Sequence, residues 1–316
     1  MSSPAARADP DHRPAPRLAY ERHGHGTPPL VLLHGIANTR AVWHDVIPEL
    51  AGRRAVYAYD HRGHGESPHL GHGPAYTIDA LVTDLADFLT AHGLTRAHVA
   101  GHSLGGAVAL RFAAAHAGRV SSLILIDPVT APPDDVSQAV SDRLLATVAS
   151  HGMAGLAGLL DRLADFAPRT RSARQRARFR DGVARMDPAA FVGFTAALQA
   201  LPSIDAALST LDVATSVICA ADNAAARRRA GDLARLLPRA VVRTVPGTAH
   251  APHEEAPGDW LAAAEAHFAG LDAEEHGNGQ DPDRQRVQRG PGRDHRRQAE
   301  EDRMVDPAAR VVRPQR

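Results

Sequence analysis

The stretch AHVAGHSLGGAVALRFAAAH, residues 97–116, changes its periodicity midway, and that change decides the fold. Its first residues form a short apolar run, as a buried strand does, and its last carry apolar side chains at helical spacing. Between them stands Gly101-His102-Ser103-Leu104-Gly105, a glycine-x-serine-x-glycine pattern at a strand-to-helix turn. Gly101 and Gly105 leave room for neighbouring chains to pass close by, and Gly106 extends that room. Ser103 Oγ is expected to project from the turn, where the helix N-terminus favours developing negative charge. The five residues alone fit equally well a glycine-rich turn whose serine caps a helix. The flanking strand and helix favour the nucleophile.

Outward from this turn the same alternation repeats. Residues 28–35, 53–60, 97–103, 121–128, 215–222 and 240–247 are near-continuously apolar, as expected of strands buried on both faces of a parallel sheet. Residues 17–24 alternate more and suit an edge strand. Helical patterns lie between, one of them opening on Thr77 and stopping at Gly93. The fold class is therefore α/β, a mostly parallel sheet flanked by helices. One interval breaks the rhythm: residues 129–214 hold no strand pattern and four helical ones, around 136–149, 153–166, 170–186 and 189–201. Such an insertion after one strand reads as a helical cap over one edge of the sheet. Residues 17–128 and 215–270 then form the core. Residues 1–16 and 271–316 are polar and charged, and are expected to be disordered because they cannot bury enough surface to offset their ordering entropy.

The 316 residues carry 36 basic and 36 acidic side chains, so no global charge points to nucleic acid or to a membrane surface. The single cysteine, Cys219, excludes an internal disulfide and fits a reducing compartment. The first residues lack the apolar core of a signal peptide, and no uninterrupted apolar run approaches the roughly 20 residues of a membrane span. A cytoplasmic protein acting on a small molecule is the expectation, with its oligomeric state open.

A serine at its free pKa needs a base, itself oriented by an acid. Among 19 histidines, His250 in VPGTAHAPHEEAP stands out because it follows the last strand and a Pro-Gly turn. His253 is its competitor. A zinc reading of this HxxH pair is weak, since the spacing is not that of a helical HExxH motif and no third ligand is evident. Donors for an oxyanion are expected from the N–H of Leu104, directly after the serine, and of Ile36, in the loop after His34-Gly35.

LVLLHGIANTRAVW, YDHRGHGES, VAGHSLGGAVAL and VPGTAHAPHEEAP, in that order, resemble the α/β-hydrolase fold superfamily in its lidded, serine-esterase-like branch, over about residues 17–270. The resemblance implies functional roles for Ser103, His250 and Ile36, and it assigns the glycine-rich loop DHRGHGES a structural one. Some members of the fold carry aspartate at the elbow and dehalogenate or open epoxides. The serine here argues against those chemistries.

The resemblance also implies an acid after the strand preceding the last. Counting back from the helix GDLARLLP puts Asp222 there, while counting from Ala220 puts Asn223 there. Asp127, ending SSLILIDP, is the alternative. The implied activity is hydrolysis of a small carboxylic ester, or of a lactone, thioester or C–C bond next to a ketone, through an acyl-enzyme with no metal or organic cofactor. Two rivals remain: a non-catalytic binding protein on the same scaffold, and an interaction protein working through its tail. The arginine-rich stretch 168–186 could meet an anionic substrate, but a solvated helix face is the plainer reading.

Overall fold

All seven expected strands form in the computed structural model, which describes residues 17–71, 75–132, 135–163 and 172–278. They are β1 Tyr20–His23, β2 Leu30–Leu33, β3 Val56–Tyr59, β4 Ala97–His102, β5 Val120–Ile126, β6 Thr215–Ala220 and β7 Ala240–Val245. The helices are α1 Ile47–Ala51, α2 Ile78–Ala91, α3 Leu104–Ala115, α4 Asp135–Leu160, α5 Ala173–Ala184, α6 Pro188–Gln199, α7 Asp205–Leu208, α8 Ala224–Leu236, α9 Pro252–Glu255 and α10 Pro257–Asn278.

The sheet order is β1-β3-β2-β4-β5-β6-β7, with only the β1–β3 pair antiparallel. Strand order reverses between β2 and β4, where Leu33 pairs with Gly101. At such a switch point the connections leave in opposite directions and open a crevice at the carboxyl ends of the strands. Those ends lead directly into Ile36 and Ser103.

Apolar side chains alternate across the central strands, so each strand feeds two cores. Val31 and Leu33 join Leu85, Val108 and Phe112 on one face. Leu30 and Leu32 join Trp43, Leu50 and Trp260 on the other. The exception is β7, expected to be buried on both faces. It is an edge strand instead, with Val241 and Val242 exposed. Its apolar sequence reflects β-propensity rather than burial.

Among the described residues the segment between β5 and β6 holds helices α4–α7 and no strand. Gly152, at φ +65°, breaks α4 between the first two expected helices, and Ser172 opens α5 with a reciprocal capping box to Gln175. Ser137–Leu160 is long and apolar enough to cross a membrane by length and composition. Scattered polar residues hide it from a search for unbroken apolar runs. Its Leu144, Val148, Met153 and Leu156 belong to the protein's own core.

The chain divides into residues 1–271 and 272–316. Of the second unit, residues 272–278 are described, and they continue α10, past the point where the disordered tail was expected to begin. The remainder of that expected tail, and the expected lead-in 1–16, lie outside the described residues.

Candidate active site

Ser103 sits between β4 and α3 at φ 51° and ψ −110°, a left-handed conformation that costs a non-glycine residue on the order of 1–3 kcal/mol. Its surroundings enforce it. The Ser103 N–H donates to Ile126 O at 2.9 Å, and Ser103 O accepts from Ala107 N at 3.1 Å and Val129 N at 3.3 Å. The turn closes so tightly that a Cβ on Gly101 would lie 2.3 Å from Gly105 O, and one on Gly105 2.4 Å from Leu33 O. Both obstacles are backbone and cannot rotate away. Gly105→Ala is therefore expected to destabilise the fold by about 3 kcal/mol. Chemical denaturation checks this, and an unchanged midpoint would show that the turn has slack.

The carboxylate that the structure brings to His250 is that of Asp127, not of Asp222. His250 Nδ1 lies 3.5 Å from Oδ2 of Asp127, whose side chain is fully buried. Asp127 Oδ1 accepts the Ala220 N–H at 3.3 Å, while Oδ2 has no hydrogen-bond partner among the described residues and faces the imidazole. Asp222 is exposed, and its backbone N–H is tied to Thr248 O at 3.1 Å.

The physical reason for the outward placement of Asp222 is helix capping. Asn223 is the N-cap of α8 and its Oδ1 accepts the Ala226 N–H at 3.0 Å. A tight turn, Asn223 N to Ala220 O at 3.4 Å, precedes the cap and carries Asp222 at its exposed corner. Asn223 also donates through Nδ2 to Ala249 O at 3.0 Å, so the amide holds the histidine loop rather than the imidazole.

Two more residues hold that loop. The Glu255 carboxylate accepts three successive N–H groups, from Ala249 at 2.6 Å, His250 at 3.0 Å and Ala251 at 2.5 Å. His102 Nε2 donates to His250 O at 3.1 Å, and its ring packs 4.8 Å from that of His250. Sequence reasoning missed both, although His102 lies inside the elbow motif and Glu255 closes the HxxHxE segment. The competitor His253 is buried and stacked on Trp43 at 4.3 Å. His250, by contrast, lines the cavity that Ser103 and Asp127 also line.

The loop after β2 turns through Gly35–Asn38, with Asn38 N bonded to Gly35 O at 3.3 Å and Ala37 at φ 59°. Ile36 lines the same cavity. Leu104 opens α3, where a helix leaves its first N–H groups without an intrahelical acceptor.

Three buried histidines brace this turn. His34 Nε2 accepts the His61 N–H at 3.0 Å, which places its hydrogen on Nδ1, donated to Gly35 O at 2.7 Å. His64 Nε2 accepts the Ala37 N–H at 3.3 Å and its Nδ1 donates to Arg62 O at 3.2 Å. Burial pushes His34 down to about 4, His64 to about 3 and His61 well below the ordinary histidine value. His61 and His64 of the loop DHRGHGES thus brace the turn as neutral rings.

The cavity measures about 570 Å³. Beyond Ser103, Asp127 and His250, its wall is largely apolar, with Leu144, Leu160, Phe179 and Phe191 coming from the helical insertion. Phe194, three residues on from Phe191, is not among the lining residues and stacks on His64 at 5.7 Å. None of the arginines of α5 lines the cavity. Arg178 pairs with Asp45 at 2.5 Å and Arg180 with Asp161 at 3.3 Å, at the protein surface.

The sequence model of the family described as alpha/beta hydrolase fold matches residues 28–257. A lipase of Mycobacterium tuberculosis is 37% identical over 134 residues, which are 41% of this chain and 49% of that protein. A pimeloyl-[acyl-carrier protein] methyl ester esterase of Aeromonas hydrophila is 40% identical over 109 residues, 34% of this chain and 41% of that one. The chain thus spans about half the length of the curated relatives it matches, or somewhat less. A carboxylesterase structure from the thaumarchaeon Nitrososphaera gargenis superposes with a TM-score of 0.73 at 25% identity, covering 81% of this chain and 96% of that one.

Proposed function

The chain belongs to the α/β-hydrolase fold family, and on that premise we propose that it is a serine-nucleophile hydrolase cleaving a small carboxylic ester or related acyl substrate through an acyl-enzyme. One observation carries the reading: the strained Ser103 opens into the same cavity as His250, whose Nδ1 faces a fully buried Asp127.

His250 Nε2 takes the Ser103 hydroxyl proton as Oγ attacks the carbonyl carbon. The charge left on the carbonyl oxygen is held by the N–H groups of Ile36 and Leu104. His250 then passes the proton to the leaving oxygen, and the ester bond breaks. Water, deprotonated by the same imidazole, attacks the acyl-enzyme; the bond to Ser103 Oγ breaks, His250 returns the proton to Oγ, and the acid is released. Asp127 holds Nδ1–H in place and offsets the imidazolium charge in both half-reactions. The cap formed by α4–α7 shields the acyl group, whose partners in the wall are leucine and phenylalanine. The free Cys219 fits a cytoplasmic setting.

A fluorophosphonate probe tests this. The expected result is stoichiometric labelling mapped to Ser103 by peptide mass spectrometry, and none in Ser103→Ala. A folded wild type that resists the probe would remove the hydrolase reading and leave a small-molecule-binding protein on the same scaffold.

A further inference from the structure

Helix α8 also lines the cavity that holds Ser103, through Arg228, Arg229, Asp232, Leu233 and Leu236. Residues 229, 232, 233 and 236 lie three or four apart, on one face of the helix. Arg228 is exposed and Arg229 half-buried, and no ion pair or hydrogen bond is made by either guanidinium among the described residues. Other arginines of the protein do otherwise. Arg62 holds Asp84 at 2.6 Å and Arg178 holds Asp45, while Arg96 and Arg119 take main-chain carbonyls.

The acids in the same wall do not cancel the two charges. Asp232 is engaged by Arg235 on its own helix, and Asp127 faces His250, which leaves Asp205 at the start of α7. The buried Cys219 thiol is pushed up to about 11 by burial, then by the Asp127 charge, against the opposing charges of Arg227 and Arg229. Arg229 is therefore within electrostatic reach of the strand end beside the acid.

Resting on the hydrolase reading above, we infer that Arg228 and Arg229 select substrates whose non-reacting end carries an anion, a carboxylate in the first instance. The molecule would be an ester with an apolar middle, matched to the leucine and phenylalanine wall, and a charged terminus. A guanidinium in a half-enclosed site suits this role because its planar fork meets both oxygens of a carboxylate and is weakly hydrated. The arginine-rich helix α5, the obvious candidate from sequence, faces its arginines elsewhere.

Two matched substrate pairs test the inference, because the anion can sit on either side of the ester. The first pair is mono-p-nitrophenyl adipate against p-nitrophenyl hexanoate. The second is the butyrate ester of 6-hydroxyhexanoate against hexyl butyrate. In at least one pair wild type is expected to prefer the anionic member by on the order of tenfold or more in kcat/KM. That ratio should collapse towards one in Arg228→Gln/Arg229→Gln.

Turnover of the neutral esters with no anionic preference in either pair would overturn the inference and leave the hydrolase intact. If no ester is cleaved, the hydrolase reading falls, and adipate binding to Ser103→Ala by calorimetry decides the rest. Binding that the two arginine substitutions do not weaken overturns the anion site whatever the catalytic result.

Discussion

Asp127→Asn is expected to lower kcat/KM for any ester the protein cleaves by roughly 10³- to 10⁴-fold, while Asp222→Asn leaves it essentially unchanged. The asymmetry follows from position. Asp127 Oδ2 is buried and faces His250 Nδ1 at 3.5 Å, and Asp127 Oδ1 is already committed to the Ala220 N–H. An amide there keeps the oxygen on Ala220 N–H and turns its NH₂ towards the imidazole. A donor then opposes a donor, and the imidazole gives up the Nδ1–H tautomer that leaves Nε2 free to accept the serine proton.

Asparagine is also a mild replacement for the backbone. Residue 127 sits at φ 41°, a left-handed conformation that asparagine tolerates about as well as aspartate. Lost activity with an unchanged melting temperature would place the effect on chemistry. If instead Asp222→Asn were the damaging change, the acid would lie on the exposed turn and the observed geometry would not be the working one.

The second large effect is acid lability. His34 and His64 stay neutral in the fold, pushed by burial to about 4 and about 3, and His267 is held near 4 for the same reason. Once unfolded, each titrates near 6.5. Between those values the unfolded chain binds protons that the native state refuses. Stability is then full above about pH 6.5 and falls as pH drops, by roughly 1.4 kcal/mol per unit for each such histidine.

From pH 6.5 to 4, His34 alone removes about 3 kcal/mol, a large part of a typical stability of about 5–15 kcal/mol. His61, held well below its ordinary value by burial and by its two histidine neighbours, adds to the same slope. The melting temperature should therefore fall steeply through this window, first at the turn that carries Ile36. His267→Asn should make the slope shallower by one proton's worth, since its ring bridges Ser122 and Ser216 at 2.8 and 3.0 Å without touching the site. A melting temperature flat from pH 6.5 to 4.5 would mean that these rings are hydrated or already protonated in the native protein.

Strand-by-strand alternation, the elbow and the helical insertion were all readable from the chain, because each rests on local signals. Apolar runs mark buried strands whatever they pair with, and Gly101-x-Ser103-x-Gly105 works through steric limits within five residues. His250 was readable from its place after the last strand. The edge position of β7 was not, since valine suits an exposed strand as well as a buried one. Nor was the cavity wall. Phe191 and Phe194 are close in sequence, yet one lines the cavity and the other packs on His64.

The acid shows the division most clearly. By sequence alone the chain determined that a carboxylate should follow one of two strands, and counting favoured Asp222 because spacing was the only signal available. Tertiary structure placed Asp127 beside His250. Asn223 was needed to cap α8, and that cap fixed the turn with Asp222 outward. The carboxylate at the end of β5, buried and facing the imidazole, was left as the neighbour of His250.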